Sequence, residues 1–296
     1  MNQIKTVGLL GLLSGLLVAI GYFLGGSSGA LLGLVFAAAT NLFSWYSSDK
    51  IALAAYRAQP IEPAQAPKLY QIVQRLSQRA GLPMPKLYLI PTEGANAFAT
   101  GRDPQHAAVA VTQGIVNMLP EDELEAVIAH ELSHVRNRDT LTQAVAATVA
   151  GAISYLAQVL QFGAMFGGFS RQDERGGGGN PIALLTTIIL APLAATVIQL
   201  AISRTREFEA DAGSARLTGN PRALARALQR LDASARQMPI GVNPAFEPLL
   251  IMNAIPKQAF SSLFSTHPST EARIENLLKL ERALGSSRVP QSPLSF

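Results

Sequence analysis

His130-Glu131-Leu132-Ser133-His134 is the stretch on which the reading of this chain turns. It has the form H-E-x-x-H, inside a segment with helical patterning from Pro120 onward. Glu121, Asp122 and Glu123 follow that proline, where a helix dipole favours acid. Four residues is just over one helical turn, so both imidazoles project from the same face. Two neutral imidazoles at that spacing can hold one zinc ion. The glutamate between them is placed to take a proton from water activated there.

A hydrolytic zinc site needs a third protein ligand and one open position. The extended pattern H-E-x-x-H-x-x-G-x-x-H is absent, because position 137 is Asn and position 140 is Thr. The chain has no cysteine and only four histidines, so disulfides and thiolate zinc sites are excluded, and any zinc is held by His and carboxylate. The obvious source of a carboxylate is Ser203-Arg204-Thr205-Arg206-Glu207-Phe208-Glu209-Ala210-Asp211. Glu207 and Asp211 are four apart and share a helix face, whereas Glu209 points away. Glu207 is assigned as the ligand, and Asp211 as the group that accepts a histidine's second N–H. A charged helix start facing solvent has the same spacing, and spacing alone leaves both readings open.

Further out, the composition changes the setting. The 296 residues are 48% hydrophobic and only 15% charged, against about 25% charged in an average soluble domain. Four apolar runs account for this. Thr6–Leu24 is uninterrupted, and residues 29–46 follow after a Gly-Gly-Ser-Ser break and end in Trp45 and Tyr46, which suit a membrane interface. A cleaved signal peptide fits poorly, because no polar mature start follows the first run. Residues 141–168 form a third run carrying Thr142, Gln143, Gln158 and Gln161, and residues 182–202 form a fourth containing Pro192. Between them lies a tether with four consecutive glycines, which lacks the Lys-Ser/Thr of a phosphate loop.

Lys50, Arg57, Arg136, Arg138, Arg204 and Arg206 flank these runs on one side. Positive-inside counting therefore puts residues 47–140 and 203–296, and both termini, in the cytoplasm. The net charge of +4 is spread over these flanks and forms no basic patch with interleaved aromatics, so a nucleic-acid partner is not expected. The expected organisation is a transmembrane hairpin (1–46), a first protease half with the HExxH helix (47–140), a second pair of spans (141–202), a second half with the third ligand (203–284) and a flexible tail (285–296). Within 47–140, a helix over residues 66–80 ends at Gly81, and strands are expected at 86–90, 95–100 and 107–112, with a short helix at 114–119. His106 lies in a polar turn. The later piece reads as helices over 205–217, 222–236 and 270–284.

The pairing of HELSH with SRTREFEADAGSARL, the four apolar runs and a late LFSTHPSTEARI resemble the HtpX family of membrane-bound heat-shock zinc metalloproteases, relatives of the CAAX prenyl proteases. The resemblance covers essentially the whole chain. It implies a mainly α fold: four transmembrane helices plus a cytoplasmic zincin-type α+β metalloprotease domain with a small sheet. It implies one zinc ion per chain on His130, His134 and Glu207, with Glu131 as general base. By the same resemblance Asn96, Ala97 and Phe98 belong to an edge strand that binds substrate backbone, His267 assists at the oxyanion, and Arg273 supports it. Its partners would be misfolded or damaged membrane proteins and the bilayer of a bacterial inner membrane. A homo-oligomer is compatible with the glycine-rich first two helices. A CAAX-type peptidase would need a larger intramembrane chamber than four spans offer. A scaffold with a vestigial motif is disfavoured by the intact His130, Glu131, His134 and Glu207.

Overall fold

The computed structural model describes residues 2–150, 153, 204–237, 249–251 and 268–286. The rest of the third apolar run, the glycine tether, the fourth run, His267 and the end of the tail lie outside the described residues. The described chain is mainly helical with one small mixed sheet.

Helical backbone extends from Asn2 to Ala55 (α1). A straight helix would separate residues 10 and 41 by about 46 Å. Instead, Asn41 Nδ2 donates to Leu10 O at 3.1 Å and to Ser14 Oγ at 2.7 Å. The chain therefore doubles back, and Gly26, with φ of 56°, supplies the left-handed residue that a reversal needs. The two arms cross closely at Gly33, where a Cβ would sit 2.6 Å from Leu17 O. Among the described residues one helical stretch, Gly26–Ser47, is long and apolar enough to cross a membrane, and Thr6–Ala19 is a shorter apolar helix. Leu31, Leu32, Val35, Phe36, Leu42 and Phe43 face outward from it, the reverse of a water-soluble helix.

The sheet contains β1 (Gln59–Pro60), β2 (Lys86–Ile90), β3 (Ala97–Thr100) and β4 (Ala108–Thr112), in the order β1-β2-β4-β3. β2 and β4 are parallel, and the two outer pairings are antiparallel. β1 has no alternation of its own to betray it. Period-two alternation divides the sheet's residues between two cores. Ala97, Ala99, Val109 and Val111 join a core under the helices of the soluble part. Phe98, Ala108 and Ala110 face a second core with Leu9, Leu13, Tyr56, Val145, Val149 and Ile153. The sheet thus has the root of the N-terminal helical hairpin on one face and the site-bearing helices on the other.

Helix α2 (Pro67–Ala80) stops at left-handed Gly81, and α3 (Gln113–Met118) is capped by Thr112, whose hydroxyl accepts from Ile115 N. Next comes α4 (Glu121–Asn137), buried from Leu124 through Val135 except at Glu125. It does not run straight on into the third apolar run. Arg138 takes φ of 57°, α4 stops there, and helical backbone resumes over residues 139–150 (α5). Three later helices complete the described part: α6 (Arg204–Thr218), α7 (Pro221–Gln237) and α8 (Thr270–Ser286). Glu123 in the first turn of α4 is buried, and α7 answers it with Arg226 at 3.1 Å and Arg230 at 2.9 Å.

Small residues bring α6 onto α4. Ser214 Oγ donates to Ala126 O at 2.6 Å, and a Cβ at Gly213 would collide with Ser133 Oγ. A Gly213→Val substitution should push the helices apart and cost about 1–3 kcal/mol. Thermal unfolding reads this directly, and an unchanged Tm would count against so close a contact.

Candidate active site

That helix contact joins the two halves of the site. His130 and His134 project from α4 with their Nε2 atoms 3.2 Å apart. Glu207, on the first turn of α6, reaches them from the side: Oε1 is 3.5 Å from His134 Nε2 and Oε2 is 3.7 Å from His130 Nε2. One donor atom from each of the three lies within 4.8 Å of the others, and all three residues are buried. Ligands bound at about 2.0–2.1 Å around a tetrahedral zinc ion are themselves about 3.3 Å apart, so this donor set fits such an ion. Glu209 is exposed and outside the cluster.

Each histidine has a carboxylate behind it. Asp211 Oδ1 lies 3.0 Å from His130 Nδ1, and Asp211 also accepts from Arg273 Nη2 at 2.7 Å and Nε at 3.0 Å. Arg273 Nη1 donates to Ile251 O at 3.0 Å. Asp139 Oδ2 lies 3.1 Å from His134 Nδ1. Asp139 escaped the sequence reading for a geometric reason. On a continuous helix a residue five positions after His134 points about 140° away from it. The left-handed Arg138 breaks the helix and turns Asp139 back under the ring.

The charges in this pocket also point to a dication. Four buried carboxylates (Glu131, Asp139, Glu207 and Asp211) face two buried guanidiniums (Arg206 and Arg273). With neutral imidazoles, the deficit is the charge of one divalent metal. Without metal, protons meet it. Burial pushes Glu131 up to about 8. Burial works to lower His134, but the Asp139 hydrogen bond and the Glu207 and Glu131 charges outweigh it and raise that ring to about 9. Burial drops His130 to about 4, so it is neutral and ready to ligate. Metal therefore competes with protons on groups whose pKa values are raised, and apparent affinity should rise as pH climbs through 8 to 9 and level off above. Calorimetric titration at pH 7 in buffers of different ionisation enthalpy should show about two protons released per zinc. No dependence on buffer would refute it.

Glu131 is held from the sheet side, where Ala99 N–H of β3 donates to its Oε2 at 2.8 Å. The side chains of Asn96, Ala97 and Phe98 are all buried, Phe98 against Tyr56 at 5.0 Å between ring centroids. What β3 turns toward the site is backbone. Its Ala97 O accepts from Ile251 N at 3.1 Å. Leu249, Leu250, Ile251 and Gln143 wall a narrow cleft over His130, Glu131, His134 and Glu207. No sequence signal marked residues 249–251. His106 is exposed and pairs with Asp103 within its own turn.

Two imidazoles and a carboxylate converging around one point, with a second carboxylate beside them facing a strand edge, are the parts of a HExxH metallopeptidase. The sequence profile of peptidase family M48 matches residues 63–281. The chain is 70% identical over 285 residues to a protein called Protease HtpX homolog from Trichormus variabilis, covering 96% of this chain and 98% of that one. A Protease HtpX homolog from Aquifex aeolicus is 48% identical, covering 92% and 91%. In three dimensions the chain resembles S. mikatae Ste24p with a TM-score of 0.52 at 21% identity, covering 93% of this chain and 65% of that one, which is a likeness of fold. The chain belongs to the HtpX family within peptidase family M48, and it is a metallopeptidase.

Proposed function

We propose that this chain is a zinc endopeptidase of a bacterial inner membrane that hydrolyses misfolded or damaged membrane proteins from the cytoplasmic side. The observation that carries the reading is the buried His130–His134–Glu207 cluster with Glu131 beside it. Imidazole and carboxylate in a three-donor set favour zinc. A bound zinc ion supplies Lewis acidity, polarising a peptide carbonyl and acidifying water. Glu131, held by Ala99 N–H, takes the proton of the attacking water and delivers it to the leaving nitrogen. His130 and His134 are held in the ligating tautomer by Asp211 and Asp139. His267, outside the described residues, remains the proposed donor to the developing oxyanion. Arg273 bonds Asp211 and Ile251, so its proposed place is behind His130.

Substrate backbone would add to the edge of β3 as an extended strand. Its recognition there rests on main chain at Asn96, Ala97 and Phe98, in keeping with broad clearance of unfolded segments. To pair with Ala97 O, such a strand takes over the hydrogen bond now made by Ile251 N. The proposed bilayer setting has four spans, both termini inside, and the second pair of spans leading out of α5 and into α6. Purified protein should carry one zinc per chain, lose casein cleavage on chelation and regain it with zinc. Stoichiometric zinc without cleavage would reduce the reading to a scaffold. The absence of native cysteine makes topology directly testable. Single cysteines at Ser27 and Gly176 should react with an impermeant maleimide on intact spheroplasts, and labelling only after permeabilisation would invert the arrangement.

A further inference from the structure

Arg206 is buried beside the site, and among the described residues none of its three guanidinium nitrogens makes a hydrogen bond. A desolvated cation in that state is costly and needs a compensating charge. The charge facing it is Asp139, whose Oδ1 lies 3.7 Å from Arg206 Nη1 while its Oδ2 meets His134 Nδ1 at 3.1 Å. We propose that Arg206 is a positioning residue for the metal centre, acting through Asp139 to hold His134 in its ligating orientation. The proposal rests on the zinc reading above.

Two features of the structure support it. The first is a parallel on the other histidine, where His130 is backed by Asp211 and Asp211 by Arg273. Each ligand ring would then have its own Asp–Arg pair, and both pairs are buried. The second is placement. Neighbours on a helix point about 100° apart. Arg206 and Glu207 therefore diverge from the first turn of α6, Glu207 toward the two Nε2 atoms and Arg206 behind the His134 ring to Asp139. One helical turn would thus deliver both the third ligand and the counter-ion of the second. The arginine also keeps Asp139 from adding an unbalanced charge to the cluster.

The experiment uses the full-length protein in detergent, loaded with zinc, and measures zinc affinity and release to a chromogenic chelator. Loss of a partner behind a metal-bound histidine typically weakens metal binding about 10–100-fold. Asp139→Asn is expected in that range, and Arg206→Gln, one step further out, near its lower end. Arg206→Lys keeps the charge and should recover most of the loss. The double variant should lose no more zinc affinity than Asp139→Asn alone, because the two residues act in series. Melting temperature is measured with and without zinc. A positioning role shrinks the zinc-induced rise, whereas a purely structural role lowers the metal-free value and leaves the rise intact. Unchanged zinc release in Arg206→Gln, or additive losses in the double variant, would overturn the pair while the zinc site stands. A wild type that binds no divalent metal would overturn the zinc reading and the pair with it.

Discussion

Glu131→Gln is expected to purify with about one zinc per chain and to cleave casein about 10²–10⁴-fold more slowly than wild type, the range a general base contributes. The amide has the shape of the carboxylate, and its oxygen can still accept the Ala99 N–H that now holds Glu131 Oε2 at 2.8 Å. No ligand atom is touched, since the converging donors belong to His130, His134 and Glu207. What disappears is the carboxylate beside the metal position, the proposed acceptor of a proton from water. Metal content and rate should therefore separate. Wild-type cleavage by this variant would remove Glu131 from the mechanism, and loss of zinc together with activity would mean that its charge serves binding.

Glu207→Ala should do the opposite and lose the metal first. It removes the only donor contributed by α6 and one of the four buried negative charges that a dication balances. With two imidazoles left, zinc affinity should fall by on the order of a thousandfold or more, and cleavage with it. The neighbouring acids offer no substitute. Asp211 is engaged by Arg273 and His130, and Glu209 is exposed on the outer side of α6. Glu209→Ala accordingly serves as the control, with stability within about 0.5 kcal/mol of wild type and unaltered zinc. Stoichiometric zinc in Glu207→Ala would place the third ligand elsewhere in the chain. Together the two variants divide the cluster into a part that holds metal and a part that moves protons.

Much of this site was legible because helical spacing is local. A residue's face on a helix follows from its position modulo about 3.6. That rule put His130 with His134 and Glu207 with Asp211, and it turned Glu209 away. Apolar periodicity likewise located α2, α4, α7 and α8 to within a few residues, and the three longer strands stood out as short apolar runs. Asp139 was missed because the same rule, applied through a left-handed Arg138, gives the wrong face. Arg206 was read as a membrane flank. In the structure it is a buried cation against Asp139, a contact that exists only once α6 lies beside the α4–α5 break.

The sequence by itself thus determined which helices carry the ligand-type side chains, in which pairs, and that the chain is too apolar to be an ordinary soluble domain. Tertiary structure alone decided that the pairs meet. Gly213 and Ser133 let α6 approach α4, and that approach converts two separate helix faces into one buried set of donors. It also decided what lies around them: Ala99 N–H on Glu131, Ile251 on the edge of β3, and an Asp–Arg pair behind each histidine. These contacts join residues from roughly thirty to more than a hundred and fifty positions apart, or depend on one backbone dihedral. Periodicity encodes neither, because it reports which way a side chain points and not which element comes to meet it.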